Sequence, residues 1–347
     1  MDVAETSLDL AVDVDALARR LRADGIDVAG ALSATRIGRG QSNLTYLVED
    51  EQSRRWIVRR PPRGHLLASA HDVEREFRIL SALQGTAVPV PGIVASITDL
   101  AVADAPVVVM EYIDGLVVDR MDIVDGMDLS VRAEIGLDLA RTMAAVHDVD
   151  LDAVGLGDLA SHAPYAERQL KRWSRQWEQS RTRNLPALDA MTDLLRAKIP
   201  TQRALTLVHG DLHIRNVIAD PATGRIRAVL DWELTTLGDP LADIGSLLAY
   251  WPEPSDPPTG LFAASTMPGF VDRATLAQAY LYASGRDGAD LDYWHVFGLW
   301  KIAVICEGVL RRAIDDPRNA ADGGPPKPEF IDQLVEKAWH IARTAQL

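Results

Sequence analysis

Cysteine is nearly absent from this sequence of 347 residues, which contains only Cys306. An internal disulfide is therefore impossible, and we expect the protein to work in a reducing compartment. Residues 302–305, which precede this cysteine, are all apolar. That setting favours a buried structural thiol over a nucleophile.

Signals for export or membrane insertion are also missing from the pattern. Residues 1–15 are acidic and lack the basic start and apolar core of a signal peptide. No continuous apolar run approaches the roughly 18 residues that cross a bilayer. We therefore expect a cytoplasmic protein with no membrane partner.

Positive charge is scarce. The sequence contains 36 Lys and Arg residues but 50 Asp and Glu residues, so its net charge is −14. Non-specific nucleic-acid binding needs a basic face, so no nucleic-acid partner is expected. The apolar fraction of 47% is that of an ordinary globular protein. The length allows two lobes, each with its own core.

The most informative stretch runs from Leu207 to Ile218 and continues at residues 229–233. An apolar lead-in precedes His209 and Asp211, Asn216 follows five positions later, and a second apolar run precedes Asp231. One acid as a base, then Asn and Asp as oxygen ligands for a metal, is the arrangement that phosphoryl transfer needs. The spacing H-x-D-L-x-x-x-N matches the catalytic loop of kinases, with Gly210 in place of Arg. Taken singly, these residues are ordinary turn-formers.

The part before this stretch contains a helix at 13–24, followed by strands. Residues 37–48 are predicted to form a strand, a glycine-containing turn and a second strand, and residues 56–59 a third strand. Backbone N–H groups at the turn could cradle phosphates, although the same residues suit a plain hairpin. The turn residues are Gly40, Gln41, Ser42 and Asn43.

A strand cation and a helix acid come next. Arg59 ends the third strand, and Glu76 lies beside the apolar face formed by Val73, Phe77 and Leu80 of a helix predicted at 72–83. Kinases use a strand cation paired with a helix glutamate to hold the α- and β-phosphates. Arginine would do this as a planar fork where most kinases have lysine. Glu76 could equally be a solvated acid near its neighbouring arginines.

Residues 106–115 form an apolar strand that ends in a glycine-containing linker. In a two-lobed kinase this is the hinge, where the backbone at Met110, Glu111 and Ile113 would contact the adenine. This assignment rests on the order of the segments, because the valine-rich run also suits any core strand.

The remainder is mainly helical, with helices predicted at 130–147, 165–183, 273–284, 289–316 and 329–346. The helix at 165–183 is basic, with aromatic residues interleaved. It could accept an anionic or nucleotide-bearing substrate, although charged helices are usually solvated faces. The candidate acceptor-binding residues are Arg168, Arg172, Trp173 and Glu233.

Taken in order, these segments resemble the aminoglycoside-phosphotransferase superfamily of small-molecule kinases across residues 30–310. The resemblance implies an α+β, bilobal protein-kinase-like fold. Residues 1–113 would form the nucleotide-binding lobe, with an antiparallel sheet plus helix and including the helix at 13–24. Residues 114–347 would form the larger, mainly helical catalytic and substrate-binding lobe.

The resemblance also implies the chemistry, an ATP- and Mg²⁺-dependent transfer of the γ-phosphoryl group to a hydroxyl of a small molecule. Asp211 would be catalytic, and Asn216 and Asp231 would hold the metal. Arg59, held by Glu76, would position the phosphates. The sequence leaves open whether ATP or GTP is used, and what the oligomeric state is.

Within the superfamily, four segments look closest to the kinase-like proteins related to the N-terminal domains of certain acyl-CoA dehydrogenases. That subgroup is associated with hydroxy acids or their CoA esters. The segments are Val58–Pro62, Arg168–Trp173, Val229–Pro240 and Leu241–Ile244.

Three other interpretations share parts of this pattern. A protein kinase is disfavoured because only eleven residues separate Asp231 from Asp243, too few for an activation segment. An aminoglycoside or macrolide antibiotic kinase stays open, although the basic helix does not suit a cationic substrate. A non-catalytic nucleotide-binding module also stays open, although such proteins usually lack one of Asp211, Asn216 and Asp231.

Overall fold

The computed structural model describes residues 10–37, 43–62, 73–256, 263–317 and 324–347. The chain divides into two compact units. The first is the described part of Met1–Gly85 together with Val90–Asp114, and the second is Thr86–Pro89 together with the described part of Gly115–Leu347.

The first unit is built on an antiparallel sheet of five strands in the order β1-β2-β3-β5-β4. The strands are β1 Leu32–Ile37, β2 Leu44–Asp50, β3 Arg55–Arg60, β4 Ile93–Ile97 and β5 Val107–Glu111, and the helices of this unit are α1 Val14–Ala23 and α2 Val73–Leu83. In β3, alternate residues such as Trp56 and Val58 are buried in the core that α1 covers. This register places Arg59 of the central strand β3 opposite Val108 of β5.

Helix α1 begins where the sequence supplies a cap. The Asp13 side chain accepts the backbone N–H of Ala16 at 2.8 Å, and Leu17 and Leu21, one turn apart, are fully buried. Helix α2 buries Val73, Leu80 and Leu83 as its periodicity predicts. Ile79 takes the place on the buried face that was predicted for Phe77, which is only partly buried.

The second unit consists mainly of helices, with two short pairs of antiparallel strands. The helices are α3 Met121–Asp125, α4 Leu129–His147, α5 Tyr165–Ser180, α6 Pro186–Ala197, α7 Pro240–Ala249, α8 Arg273–Ser284, α9 Leu291–Asp315 and α10 Pro328–Thr344. The strands pair as β6 Thr206–Val208 with β9 Thr236–Gly238, and β7 Val217–Ala219 with β8 Ile226–Val229. Helices α3 and α6, the β7–β8 hairpin and the β6–β9 pair were not among the predicted elements.

Helix α9 is the core helix of this unit, and α7 packs closely against it. A Cβ at Gly298 would lie 2.8 Å from the Gly245 carbonyl oxygen, so only glycine permits this approach. Trp294, Trp300 and Cys306 of α9 are buried. Among the described residues α9 alone is long and apolar enough to cross a membrane, and 89% of its apolar window is buried within the fold.

Helix α5 ends three residues before the predicted Arg183. The backbone becomes extended at Arg181, whose N–H still bonds the Trp177 carbonyl. Its aromatic residues turn inward, since Trp173 is 7% and Trp177 3% exposed. Lys171, Arg172 and Arg175 are exposed, so the helix has a buried aromatic face and an exposed basic face.

Candidate active site

The catalytic loop begins where β6 ends, at His209-Gly210-Asp211. Gly210 has a φ of +85°, and a Cβ there would lie 2.8 Å from the Leu234 carbonyl oxygen. Both features require glycine. They explain why this position lacks the arginine of the kinase motif.

His209 is fully buried and serves the loop's structure. Its Nε2 lies 3.0 Å from the Leu230 carbonyl oxygen, and its Nδ1 lies 3.3 Å from the backbone N of Asp211. A neutral ring satisfies both, with Nε2–H donating and Nδ1 accepting. Burial lowers the pKa of His209, although nearby carboxylates oppose the shift. The neutral His209 ring thus links the catalytic loop to the segment before Asp231 by two hydrogen bonds.

Asp243 of α7 holds the backbone of the same loop. It accepts the backbone N–H of His209 at 2.7 Å and that of Gly210 at 2.9 Å, and His147 Nε2 lies at 3.2 Å. Burial raises the pKa of Asp243, but its bonds to His147 and to the loop, together with His209, hold it below its ordinary value. The ionised carboxylate can only accept, so His147 Nε2 carries the hydrogen, and His147 Nδ1 lies 2.8 Å from Tyr280 Oη.

Asp211 itself stays partly accessible, with 27% of its side chain exposed. Its carboxylate lies 3.3 Å from Asn216 Nδ2 and 3.5 Å from His213 Nε2. Partial burial raises the pKa of Asp211, but His213, then Lys301 and His209, bring it below the ordinary value. Asp211 is therefore an ionised acceptor at neutral pH, suited to orienting a hydroxyl group.

Asn216 and Asp231 lie at the same end of the β7–β8 hairpin. Asn216 directly precedes the pair Val217↔Val229, and the Leu230 N–H bonds the Asn216 carbonyl at 2.8 Å. The Asn216 amide nitrogen donates to the Asp211 carbonyl at 2.9 Å, so its Oδ1 points the other way. Asp231 has a φ of 65°, a left-handed conformation that non-glycine residues rarely adopt outside functional or strained sites.

Oxygen ligands of this kind fit Mg²⁺, which is typically held by one or two carboxylates together with substrate phosphates and water. Within the described ranges, no group of three or more His, Cys, Asp and Glu side chains could enclose a metal alone.

In the first unit the structure brings Arg59 and Glu76 together. Arg59 Nη1 lies 2.8 Å from Glu76 Oε1, and the side chains are 14% and 3% exposed. A pair so shielded from water is held by charge-assisted hydrogen bonds. Its geometry matches the predicted phosphate-holding pair, whereas its role stays a prediction.

The remaining nucleotide-binding candidates are only partly described. Gly40, Gln41 and Ser42 lie outside the described residues. Asn43 is 8% exposed, and its Oδ1 is buried without a hydrogen-bond partner in the described part of the chain. A buried amide oxygen in this state is expected to meet a donor from elsewhere.

The hinge residues end strand β5. Met110 is buried, Glu111 is exposed and Ile113 is partly buried. The Glu111 N–H already bonds the Gly92 carbonyl at 2.8 Å. The predicted contact of Glu111 with adenine would therefore use its carbonyl oxygen.

The predicted acceptor-binding residues of α5 separate into two groups. Arg168 is used internally, because it donates to the carbonyls of Leu237 at 2.6 Å and Ala163 at 3.0 Å. Arg172 is exposed, and its guanidinium lies 5.1 Å from the centre of the Trp173 ring. The acceptor contacts predicted for all of them stay predictions.

Glu233 lies in a short 3₁₀ helix, Trp232–Leu234, that directly follows Asp231, and it is partly buried. Its neighbour Leu234 is the residue whose carbonyl oxygen approaches Gly210 of the catalytic loop. Its predicted contact with an acceptor stays a prediction.

Sequence reasoning missed three groups around the loop. Asp243 was noted only as part of a segment, although an acid inside the apolar helix Pro240–Ala249 is itself a signal of a buried anchor. His213 caps the 3₁₀ helix Ile214–Asn216, and its ring lies 5.0 Å from that of Tyr250. Lys301, a lysine in the apolar helix α9, bonds the Gly210 carbonyl.

Comparisons with known proteins agree with this geometry. A family model described as "Phosphotransferase enzyme family" matches residues 33–292. Acyl-CoA dehydrogenase family member 10 of Mus musculus is 31% identical over 346 residues, covering 96% of this chain and 31% of that protein. The chain spans about a third of the length of that curated relative.

Solved structures give the same fold. A Ralstonia eutropha protein provisionally assigned as an aminoglycoside phosphotransferase is 32% identical, with a TM-score of 0.77 over 96% of this chain and 99% of that chain. A thermostable mutant of an aminoglycoside phosphotransferase, in ternary complex with AMP-PNP and hygromycin B, shares 15% identity and a TM-score of 0.59 over 95% of this chain and 98% of that chain. The second likeness shows the fold alone. The resemblance and the fold class predicted from the motifs are confirmed.

Proposed function

The chain belongs to the phosphotransferase enzyme family and is of its small-molecule kinase type, and on that premise we propose that it transfers the γ-phosphoryl group of ATP to a hydroxyl group of a small acidic molecule, a hydroxy acid or a hydroxyacyl-CoA. The observation that carries the reaction is the 3.3 Å contact between the Asp211 carboxylate and Asn216 Nδ2. Asn216 lies at the end of the β7–β8 hairpin from which the chain continues to Asp231.

The reaction is a direct in-line displacement at the γ-phosphorus. The acceptor oxygen forms a bond to phosphorus while the bond from phosphorus to the β–γ bridging oxygen breaks, so ADP leaves. The hydroxyl proton passes to Asp211, whose carboxylate accepts the hydrogen bond of the hydroxyl beforehand. Because its pKa is lowered, Asp211 is a weak base. The proton therefore moves late, when the acceptor oxygen has already begun to bond to phosphorus.

The oxygens of Asn216 and Asp231 would hold Mg²⁺. When bound, the ion neutralises charge on the β- and γ-phosphates. The Asn216 amide is already fixed by the Asp211 carbonyl, so its oxygen needs no rearrangement to act as a ligand.

In the first unit, Arg59 would hold the α- and β-phosphates, with Glu76 fixing the guanidinium. Solved structures of the same fold hold AMP-PNP in one case and GDP in another, and ATP is the donor that we propose.

The proposed acidic acceptor rests on charge and on relatives. Arg172 and Lys301 lie 5.1 Å and 5.5 Å from the centre of the Trp173 ring, and Lys301 interacts electrostatically with both Asp211 and Arg172. Positive potential beside the catalytic acid favours an acceptor with a carboxylate or phosphate group. The relationship to an acyl-CoA dehydrogenase family member supports a CoA ester or the corresponding acid.

The test is a panel of acceptors offered to the purified chain with Mg·ATP. The panel contains 3-hydroxybutyrate, 3-hydroxybutyryl-CoA, kanamycin and erythromycin, and ADP release is measured together with the ³¹P NMR signal of a phosphate monoester. Butyrate and butyryl-CoA, which lack the hydroxyl group, are the matched controls. We expect ADP release and a monoester signal with a hydroxylated acid or its CoA ester, and neither with the controls.

Two results would overturn parts of the proposal. Transfer to kanamycin or erythromycin alone would replace the acidic acceptor by an antibiotic. Tight binding of Mg·ATP without transfer to any member of the panel would favour the non-catalytic nucleotide-binding module.

A further inference from the structure

Lys301 is a buried lysine, 7% exposed, that touches no reacting group in the mechanism above. It lies in α9, 91 positions beyond the residue it bonds, since its Nζ donates to the Gly210 carbonyl at 3.0 Å. A buried ammonium is unfavourable unless it is paired or hydrogen-bonded. An ammonium at this point of the catalytic loop therefore depends on the partners that the fold places around it.

The bonded residue is the one with the greatest backbone freedom in the loop. Glycine adopts φ angles that other residues avoid, and Gly210 directly precedes Asp211. The Gly210 N–H is held by Asp243 at 2.9 Å, and its carbonyl is held by Lys301. Gly210 is thus clamped on both sides by residues from two different helices.

The charged groups around the ammonium come from three elements. Asp211 of the catalytic loop and Asp243 of α7 attract it, whereas Arg172 of α5 repels it. Trp173 offers its ring at 5.5 Å from Nζ. Burial lowers the pKa of Lys301, and the two carboxylates oppose that shift.

We propose that Lys301 is a positioning residue for phosphoryl transfer, whose ammonium fixes the Gly210 carbonyl and thereby the peptide from which Asp211 presents its carboxylate to the acceptor. This role rests on the proposed phosphotransfer. Lys301 brings its side chain from α9 to Gly210, the position at which the kinase motif carries an arginine. Gly210 itself has no room for a side chain.

The test compares Lys301→Met, which removes donor and charge, with Lys301→Gln, which retains an N–H donor without charge. Initial rates of ADP release from Mg·ATP are measured with 3-hydroxybutyryl-CoA and, separately, with water as the only acceptor. Loss of a charge-assisted hydrogen bond that acts on the base predicts a roughly ten- to hundredfold lower kcat for Lys301→Met. We expect KM for ATP and the Kd of Mg·AMP-PNP to change less than about twofold.

Lys337→Met is the matched control. Lys337 is a partly buried lysine whose Nζ lies 2.7 Å from Asp256 Oδ2. Its loss should lower the melting temperature without a selective fall in kcat. If Lys301→Met does not fold, Lys301→Gln decides the question, provided that it melts at the wild-type temperature. We expect the same selective fall in kcat with little change in KM.

Wild-type kcat in a folded Lys301 variant would overturn the proposal. An equal change of kcat, KM and Kd would overturn it as well, because that pattern reports general damage to the fold. A wild-type protein that transfers phosphate to neither 3-hydroxybutyryl-CoA nor any other acceptor of the panel would instead refute the proposed function, which separates the two failures.

Discussion

The carboxylate of Asp243 accepts the backbone N–H of His209 at 2.7 Å, although 34 positions separate the two residues. The same carboxylate accepts the Gly210 N–H and contacts His147, which in turn contacts Tyr280. The catalytic loop is thus fixed to α7, α4 and α8 by one buried polar chain. A fully satisfied buried network of this kind rigidifies what it holds.

Asp243→Ala should be strongly destabilising. It removes the acceptor of two backbone N–H groups and leaves them buried, which we expect to lower the free energy of unfolding by about 3–5 kcal/mol. Urea unfolding at pH 7 measures the change. Tyr280→Phe, which removes only the outermost hydroxyl of the chain, should cost about 1 kcal/mol. Equal stability of Asp243→Ala and wild type would show that the loop has another anchor.

Gly210→Ala should combine two penalties, a positive φ and a contact with the Leu234 carbonyl oxygen. Gly25→Ala separates them, because Gly25 has nearly the same φ, +84°, and nothing within 4 Å of an added Cβ. We expect Gly210→Ala to cost about 1–3 kcal/mol more than Gly25→Ala in urea unfolding. If the two substitutions cost the same, the close approach to Leu234 does not constrain the loop.

Arg59→Met should weaken nucleotide binding, because it removes the cation that Glu76 holds. Loss of a charge-assisted contact of about 1.5–3 kcal/mol corresponds to a roughly ten- to hundredfold higher Kd for Mg·AMP-PNP in calorimetry. Arg59→Lys restores the residue that most kinases carry and should keep the Kd within about tenfold of wild type. An unchanged Kd in Arg59→Met would remove this pair from the nucleotide site.

The buried His295 should make stability depend on pH. Burial, with Arg273 and Lys337 nearby, lowers its pKa to about 3 against the opposing effect of Asp256. Below about pH 6.5 the unfolded chain binds a proton that the folded chain refuses, so stability falls as the pH drops from 6.5 towards 3.

The substitution His295→Gln removes this titration. It should flatten the fall by up to about 1.4 kcal/mol per pH unit, measured by urea unfolding between pH 7 and pH 4.5. His340→Gln, at an exposed position of α10, is the matched control. A slope in His295→Gln as steep as that of wild type would assign the acid sensitivity to other groups.

Local patterns predicted much of the fold, because they depend on neighbouring residues. Apolar spacing and a capping Asp13 mark helix α1, and residues 273–284 form α8 as the periodicity predicts. The end of α5 was placed three residues too late, because basic residues continue the pattern beyond the last helical turn. The pairing of β6 with β9 was beyond reach, since three-residue strands carry almost no periodicity.

The candidate site divides in the same way. The spacing of Asp211, Asn216 and Asp231 is a short-range motif, and the sequence alone places them in order. Their supports come from far along the chain, with Lys301 91 positions from Gly210 and Tyr280 133 positions from His147. Periodicity predicts that such residues are buried, but only the packing of the helices determines which loop they face.

The most direct test of the central claim follows the γ-phosphoryl group of ATP to the acceptor. With [γ-³²P]ATP, Mg²⁺ and 3-hydroxybutyryl-CoA, wild-type protein should give a labelled acceptor. Asp211→Asn should give it about 10²–10⁴ times more slowly while binding Mg·AMP-PNP with a similar Kd. Labelled acceptor formed at the wild-type rate by Asp211→Asn would contradict the assignment of Asp211, and with it the mechanism.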